Sequence, residues 1–103
     1  RLSIRYLIIQ IVEAASSICV QILLGLFDER VEGFPECFVR LSVKGVILED
    51  LGYRLASAAR LRNLLVHGYW VIEDAKVFES VKRGLGDFKA FIMHVRRFLE
   101  GET

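Results

Sequence analysis

Histidine and cysteine are scarce in this 103-residue chain, with two of each: His67, His94, Cys19 and Cys37. Neither histidine has paired carboxylates at ligand spacing, so no metal centre and no cofactor are expected. The cysteines form no C-x-x-C motif, and Cys19 falls in the apolar stripe of a predicted helix. They read as buried, reduced thiols of a cytoplasmic protein, with a disulfide or redox role as the alternative. An excess of one charge is also missing. The 14 basic and 13 acidic residues leave a net charge of +1, which excludes a global basic field for nonspecific nucleic-acid binding. Methionine occurs once, at Met93, so Arg1 is not a native start and further N-terminal residues are expected before it. No signal-peptide layout is visible. The most apolar stretch, Ile18 to Phe27, contains Gln21 and is too short for a bilayer, so no membrane partner is expected.

What is abundant is apolar side chain. Hydrophobic residues make up 53%, rich for a small soluble domain. A chain this short fits one domain, residues 1–103, and buries a limited share of its surface by folding alone. Part of the surplus is therefore expected at an interface with another subunit.

The apolar residues recur at helical steps. Over residues 2–27, Ile4, Leu7, Ile8, Ile11, Ala15, Ile18, Cys19, Ile22 and Leu26 form a stripe. Val12, Val20 and Leu23 widen it, while Arg5, Glu13, Ser16 and Ser17 lie off it. Residues 28–34 read as a loop. Pro35 suits the first turn of a short helix and Gly45 its end, with Phe38, Leu41 and Val39 facing inward. A third helix starts near Leu48 to Asp50, where Glu49 and Asp50 favour a helix N-terminus. It packs Leu51, Leu55, Ala58, Leu65 and Val66 and runs to about His67 or Tyr69, weakened by Gly68. Trp70 to Ile72 form an apolar link, and Asp74 is a candidate N-cap. The last helix carries Val77, Val81, Leu85, Phe88, Phe91, Ile92, Val95 and Phe98, tolerates Gly84 and Gly86 at roughly 1 kcal/mol each relative to alanine, and ends at Gly101. Only Val43 to Leu48 is ambiguous with a strand. The expected fold is all-α, an antiparallel up-and-down helical bundle.

One segment concentrates chemistry. Between Asp50 and Glu73 there is no acidic residue, while Arg54, Arg60, Arg62 and His67 all fall there. With about 100° per helical residue, and Arg62 at zero, Asn63 lies at about 100°, His67 at about 140° and Tyr69 at about −20°. Asn63 and His67 thus share one face, Arg62 and Tyr69 another. Such a fan of polar groups suits RNA cleavage by internal transesterification. A histidine can exchange the proton of the attacking 2′-hydroxyl. An arginine presents a fork of donors to the phosphoryl oxygens as charge builds there. A tyrosine can stack on a base or donate to a phosphate. Spacing alone is equally compatible with a polar cluster at a helix end or a subunit interface. Tyr69 and Trp70 are also compatible with ordinary interface aromatics. Arg54, Arg60, Lys82 and Arg83 read as solvated charges, and His94, among Arg96 and Arg97, as a surface residue.

The string R-N-L-L-V-H-G-Y at 62–69, followed by Ile72-x-Asp74, closely resembles the HepT-like branch of the HEPN superfamily, marked by R-x4-H-x-Y in an all-α bundle. Arg62, His67 and Tyr69 match the motif, and Asn63 matches the polar residue that often follows the arginine. More loosely, the order of helices over most of the chain is similar. The resemblance implies a metal-independent endoribonuclease toxin, acting as a homodimer whose two motifs line one cleft. Arg62 and His67 would be catalytic, with Asn63 in support. It also implies a cognate nucleotidyltransferase antitoxin of the MNT type that adds AMP to the tyrosine, here Tyr69. Two departures are a missing N-terminal helix and an unusually apolar composition. The alternatives are a noncatalytic partner that binds nucleotides or a nucleotidyltransferase, and a structural helical dimer with a vestigial motif.

Overall fold

Helical periodicity dictates four helices, and the computed structural model, which describes residues 2–67 and 74–101, contains them: α1 (Leu2–Phe27), α2 (Phe34–Val43), α3 (Glu49–Val66) and α4 (Asp74–Leu99). No strand occurs among the described residues. Pro35 stands in the first turn of α2, where its missing N–H has no helical partner to lose. Gly45, at φ 81, ends α2 in the left-handed conformation, one that costs glycine nothing. Glu49 and Asp50 occupy the first turn of α3. The helix α4 runs through Gly84 and Gly86 without a break. The Trp70–Ile72 link, Gly68 and Tyr69 lie outside the described residues, as does the side chain of Asp74.

Helices α1 and α3 form the centre, each packing against the other and against both α2 and α4. Phe38 of α2 and Phe91 of α4 meet edge to face in the middle, their ring centroids 5.9 Å apart. Both are fully buried, and burial of each such side chain contributes about 1.5–3 kcal/mol. Leu41, Leu51, Leu55, Ala59, Leu65, Val77, Val81 and Val95 join the same core.

The bundle has a particular set of directions. Arg54 meets Asp87, while Ser57, Ala58 and Leu61 line a groove with Ser80 and Gly84, so α3 and α4 are antiparallel. Gly52 touches Ser42, and Arg62 lies over Phe34, so α2 and α3 are antiparallel too. Helices α1 and α4, in contrast, run the same way: Ile8 lies beside Gly84 and Phe27 beside Phe98. The cause is the connection after α1. It turns at Asp28, at φ 55, and leads the chain back along α1 before α2 begins. Glu29 fastens this return. Arg40 donates to it from Nε at 3.1 Å and from Nη2 at 2.8 Å, and Lys44 Nζ lies 2.7 Å away. Those two cations, Arg40 foremost, hold the Glu29 carboxyl down to about 2.

Several side chains depart from the sequence pattern. On α1 the buried line is Arg5, Ile8, Val12, Ala15, Ser16, Cys19, Ile22 and Leu23. It is rotated from the expected stripe toward Val12 and Leu23, which buries Arg5 and Ser16 and leaves Leu7, Val20 and Leu26 exposed. Helix α1 is apolar nearly all round, so hydrophobicity alone does not select its inner side. Leu85 on α4 is exposed. So is Val66, which follows Arg62 by one turn and shares its side of α3. The expectation that no segment is long enough to cross a membrane is also corrected. The stretch Ile4–Phe27 is long and apolar enough by length and composition alone, a test that the core helix of a soluble protein also passes, and its buried line packs inside the bundle.

A guanidinium clamp at the end of the third helix

The last turns of α3 place Arg62 where α1 and the start of α2 converge, with Asn63 beside it and His67 capping the helix end. Arg62 donates from Nη2 to Glu13 Oε2 of α1 at 2.6 Å and from Nη1 to Asn63 Oδ1 at 3.0 Å. Its guanidinium carbon stands 5.0 Å from the centre of the Phe34 ring, at the first residue of α2. The ring face attracts the cation, and the charge-assisted bond to Glu13 fixes its tilt. Only a fifth of the Arg62 side chain is exposed. Arg62 Nε is buried with no hydrogen-bond partner in the protein. Of the five guanidinium N–H groups, one on each terminal nitrogen therefore remains for an incoming oxyanion.

His67 caps α3 with φ −84 and ψ 6. Its Nδ1 lies 2.7 Å from the main-chain oxygen of Asn63. A carbonyl oxygen can only accept, so Nδ1 carries the hydrogen and Nε2 is the nitrogen left to exchange a proton. The main-chain N–H of His67 donates to the same oxygen at 3.1 Å. Asn63 thus joins the two motif residues, its side chain to Arg62 and its carbonyl to His67. The ring of His67 is exposed at the helix end.

The structure brings together three of the four residues singled out by the sequence, Arg62, Asn63 and His67; the fourth, Tyr69, lies outside the described residues. Two residues that hold the site were not picked out. In the sequence pattern Glu13 is only an off-stripe polar residue and Phe34 only the end of a loop. The signal for Glu13 was its position as the one carboxylate inside an apolar helix. The acid-free stretch of sequence does not make a free basic patch. Arg54 is met by Asp87 at 3.0 Å and Asp50 at 3.2 Å, which raise its pKa with Asp87 as the larger cause. Arg62 is met by Glu13. His94, half-buried on α4, lines a shallow hollow with Arg97 and residues 45–49, at the start of α3 and thus at the opposite end of that helix from His67.

The model of one protein family, described as Ribonuclease HepT-like, matches residues 1–95. No curated protein matches the chain. No solved structure matches it either.

Proposed function

The chain belongs to the HepT-like ribonuclease family of the HEPN superfamily, and from that premise we propose that it is a metal-independent endoribonuclease acting in the cytoplasm as the toxin of a toxin–antitoxin pair. The observation that supports this reading most is the linked trio: a held arginine, an asparagine and a histidine with one nitrogen fixed and the other free.

In the proposed reaction the 2′-hydroxyl oxygen of RNA attacks the adjacent phosphorus, and the 5′-oxygen of the next nucleotide leaves. His67 Nε2 exchanges the proton. The remaining N–H groups of Arg62 donate to the phosphoryl oxygens as negative charge develops there. Glu13, Phe34 and Asn63 hold the guanidinium so that its orientation is set before substrate arrives. In the homodimer, two copies of the trio face one cleft. Its exposed apolar side chains, among them Leu7, Val20, Leu24 and Leu85, supply surface for association. Tyr69 is the residue to which an MNT-type nucleotidyltransferase antitoxin adds AMP, adding charge and bulk two positions after His67 in the chain.

The decisive experiment is incubation of bulk RNA with the purified protein in the presence of a metal chelator. Products ending in a 2′,3′-cyclic phosphate, or its opened form, support the reading; intact RNA refutes it. A second reading, a noncatalytic partner of a nucleotidyltransferase, is favoured by one observation: Glu13 already meets the charge of Arg62. Under it, the partner and ATP would label Tyr69 while RNA stays whole. Equal labelling of Tyr69→Phe would refute the assignment of that tyrosine under either reading.

A further inference from the structure

Cys19 of α1 and Cys37 of α2 are free thiols with no exposed surface. Their sulfurs stand 2.7 Å apart, with Cys37 donating to Cys19. They meet where α1 and α2 pack in parallel, on the same two elements that bring Glu13 and Phe34 to Arg62. Sulfur–sulfur bonding distance is about 2.05 Å, so the two sulfurs have less than about 1 Å to close.

We propose that Cys19 and Cys37 form a two-electron redox site that closes to an intramolecular disulfide, with hydrogen peroxide as the class of oxidant. One thiol loses its proton and its sulfur attacks a peroxide oxygen. The O–O bond breaks, leaving a sulfenic acid, and the departing oxygen takes up that proton and leaves as water. The second sulfur then displaces the hydroxyl from the first, and its proton completes another water. In total, two thiols lose two protons and two electrons, and one peroxide becomes two waters. Burial selects the oxidant. A neutral molecule the size of water can enter a packed core during small openings, whereas a charged tripeptide disulfide cannot. The hydrogen bond from Cys37, followed by burial, pushes the Cys19 thiol up and keeps it protonated. Because both thiols are fully buried, they meet the oxidant only during such openings, so the pair is slow to oxidise and responds to sustained rather than passing exposure.

The test uses the native chain. After prolonged treatment with hydrogen peroxide it is denatured, alkylated and weighed intact. The expected product has lost two hydrogens, takes up no alkylating agent and yields a cross-linked peptide holding Cys19 and Cys37. Its melting temperature rises by on the order of 10 °C, because the bond shortens the unfolded chain's free loop, and dithiothreitol reverses both changes. Oxidised glutathione at the same concentration leaves the folded thiols free. Cys37→Ser, checked as folded by circular dichroism, shows no loss of hydrogen. Thiols that stay free in peroxide, sulfur that gains oxygen instead of cross-linking, bonds between chains, or a disulfide that lowers the melting temperature each overturn the proposal. None of these readouts depends on RNA cleavage, so the proposal stands or falls apart from the proposed activity.

Discussion

His67 is anchored to Asn63 through the main chain, Nδ1 to carbonyl oxygen at 2.7 Å, whereas Arg62 is anchored to the same residue through its side chain. One residue therefore positions both groups by separable means. Asn63→Ala removes the contact to Arg62 and leaves the one to His67. A hydrogen bond to a charged group contributes about 1.5–3 kcal/mol, so RNA cleavage should fall on the order of tenfold to a hundredfold. Helix content by circular dichroism should not change. A loss as deep as that of His67→Ala would show that the side chain does more than orient the arginine.

His67→Ala and Arg62→Ala should each abolish toxicity and measurable cleavage while keeping the fold. Acid–base help contributes about a hundredfold to ten-thousandfold, and a charge-stabilising donor about a hundredfold to a thousandfold. Arg62→Lys should also fail, because an ammonium lacks the planar fork that reaches Glu13, Asn63 and an oxyanion together. His94→Ala is the control and should cut RNA like the parent. Parental rates in the His67 and Arg62 variants would leave the noncatalytic partner as the better account.

Glu13 is expected to orient Arg62 while also competing with phosphate for it. Glu13→Ala should lower kcat, since the guanidinium is less fixed, and lower KM for RNA, since a rival anion has gone. Glu13→Gln keeps an acceptor oxygen and should recover part of kcat. Steady-state kinetics on a short RNA distinguish this from a merely structural role, which would alter stability without splitting the two constants.

Glu29 sets an acid limb for stability. Its carboxyl lies at about 2 in the folded chain, against 4.5 for an unperturbed one, because Arg40 and Lys44 bind the charged form. A depressed folded value means that the stabilisation is complete above 4.5 and is lost as pH falls through about 2. Glu29→Gln should melt below the parent at neutral pH and alongside it near the bottom of that range. Thermal melts across the acid range check this. A constant gap between the two proteins would refute it.

Gly52 is a packing residue. A Cβ there would lie 2.9 Å from Ser42 Cβ and 3.1 Å from the main-chain oxygen of Phe38, both on α2. The main-chain oxygen cannot swing aside, so Gly52→Ala should destabilise by about 1–3 kcal/mol. At Gly25 nothing lies within 4 Å, and alanine should stabilise α1 by about 1 kcal/mol. Urea unfolding of the two variants should move in opposite directions.

The helix limits were legible because the pattern that sets them is local. Pro35 and Gly45 bracket α2, and Glu49 and Asp50 mark the start of α3. Arg62, Asn63 and His67 were legible as the last turn of α3 and its cap for the same reason. What the sequence did not disclose is long-range. Glu13 and Arg62 are separated by 49 positions, and no spacing rule links them. The inner side of α1 was misplaced because its apolar residues nearly encircle it, so neighbouring helices, not hydrophobicity, decide that Arg5 and Ser16 go inside. The parallel course of α1 and α4 depends on the return at Asp28 and Glu29, a turn whose direction composition does not encode.

The clamp on Arg62 has a consequence for timing. Its three supports come from α1, from the first residue of α2 and from the residue next to it in α3. A chain in which α1 has come loose holds every letter of the motif but has lost the carboxylate that holds the arginine in place. On the proposed activity, competence should therefore arrive in one step, when the helices dock cooperatively, and copies with the helices undocked should leave RNA uncut.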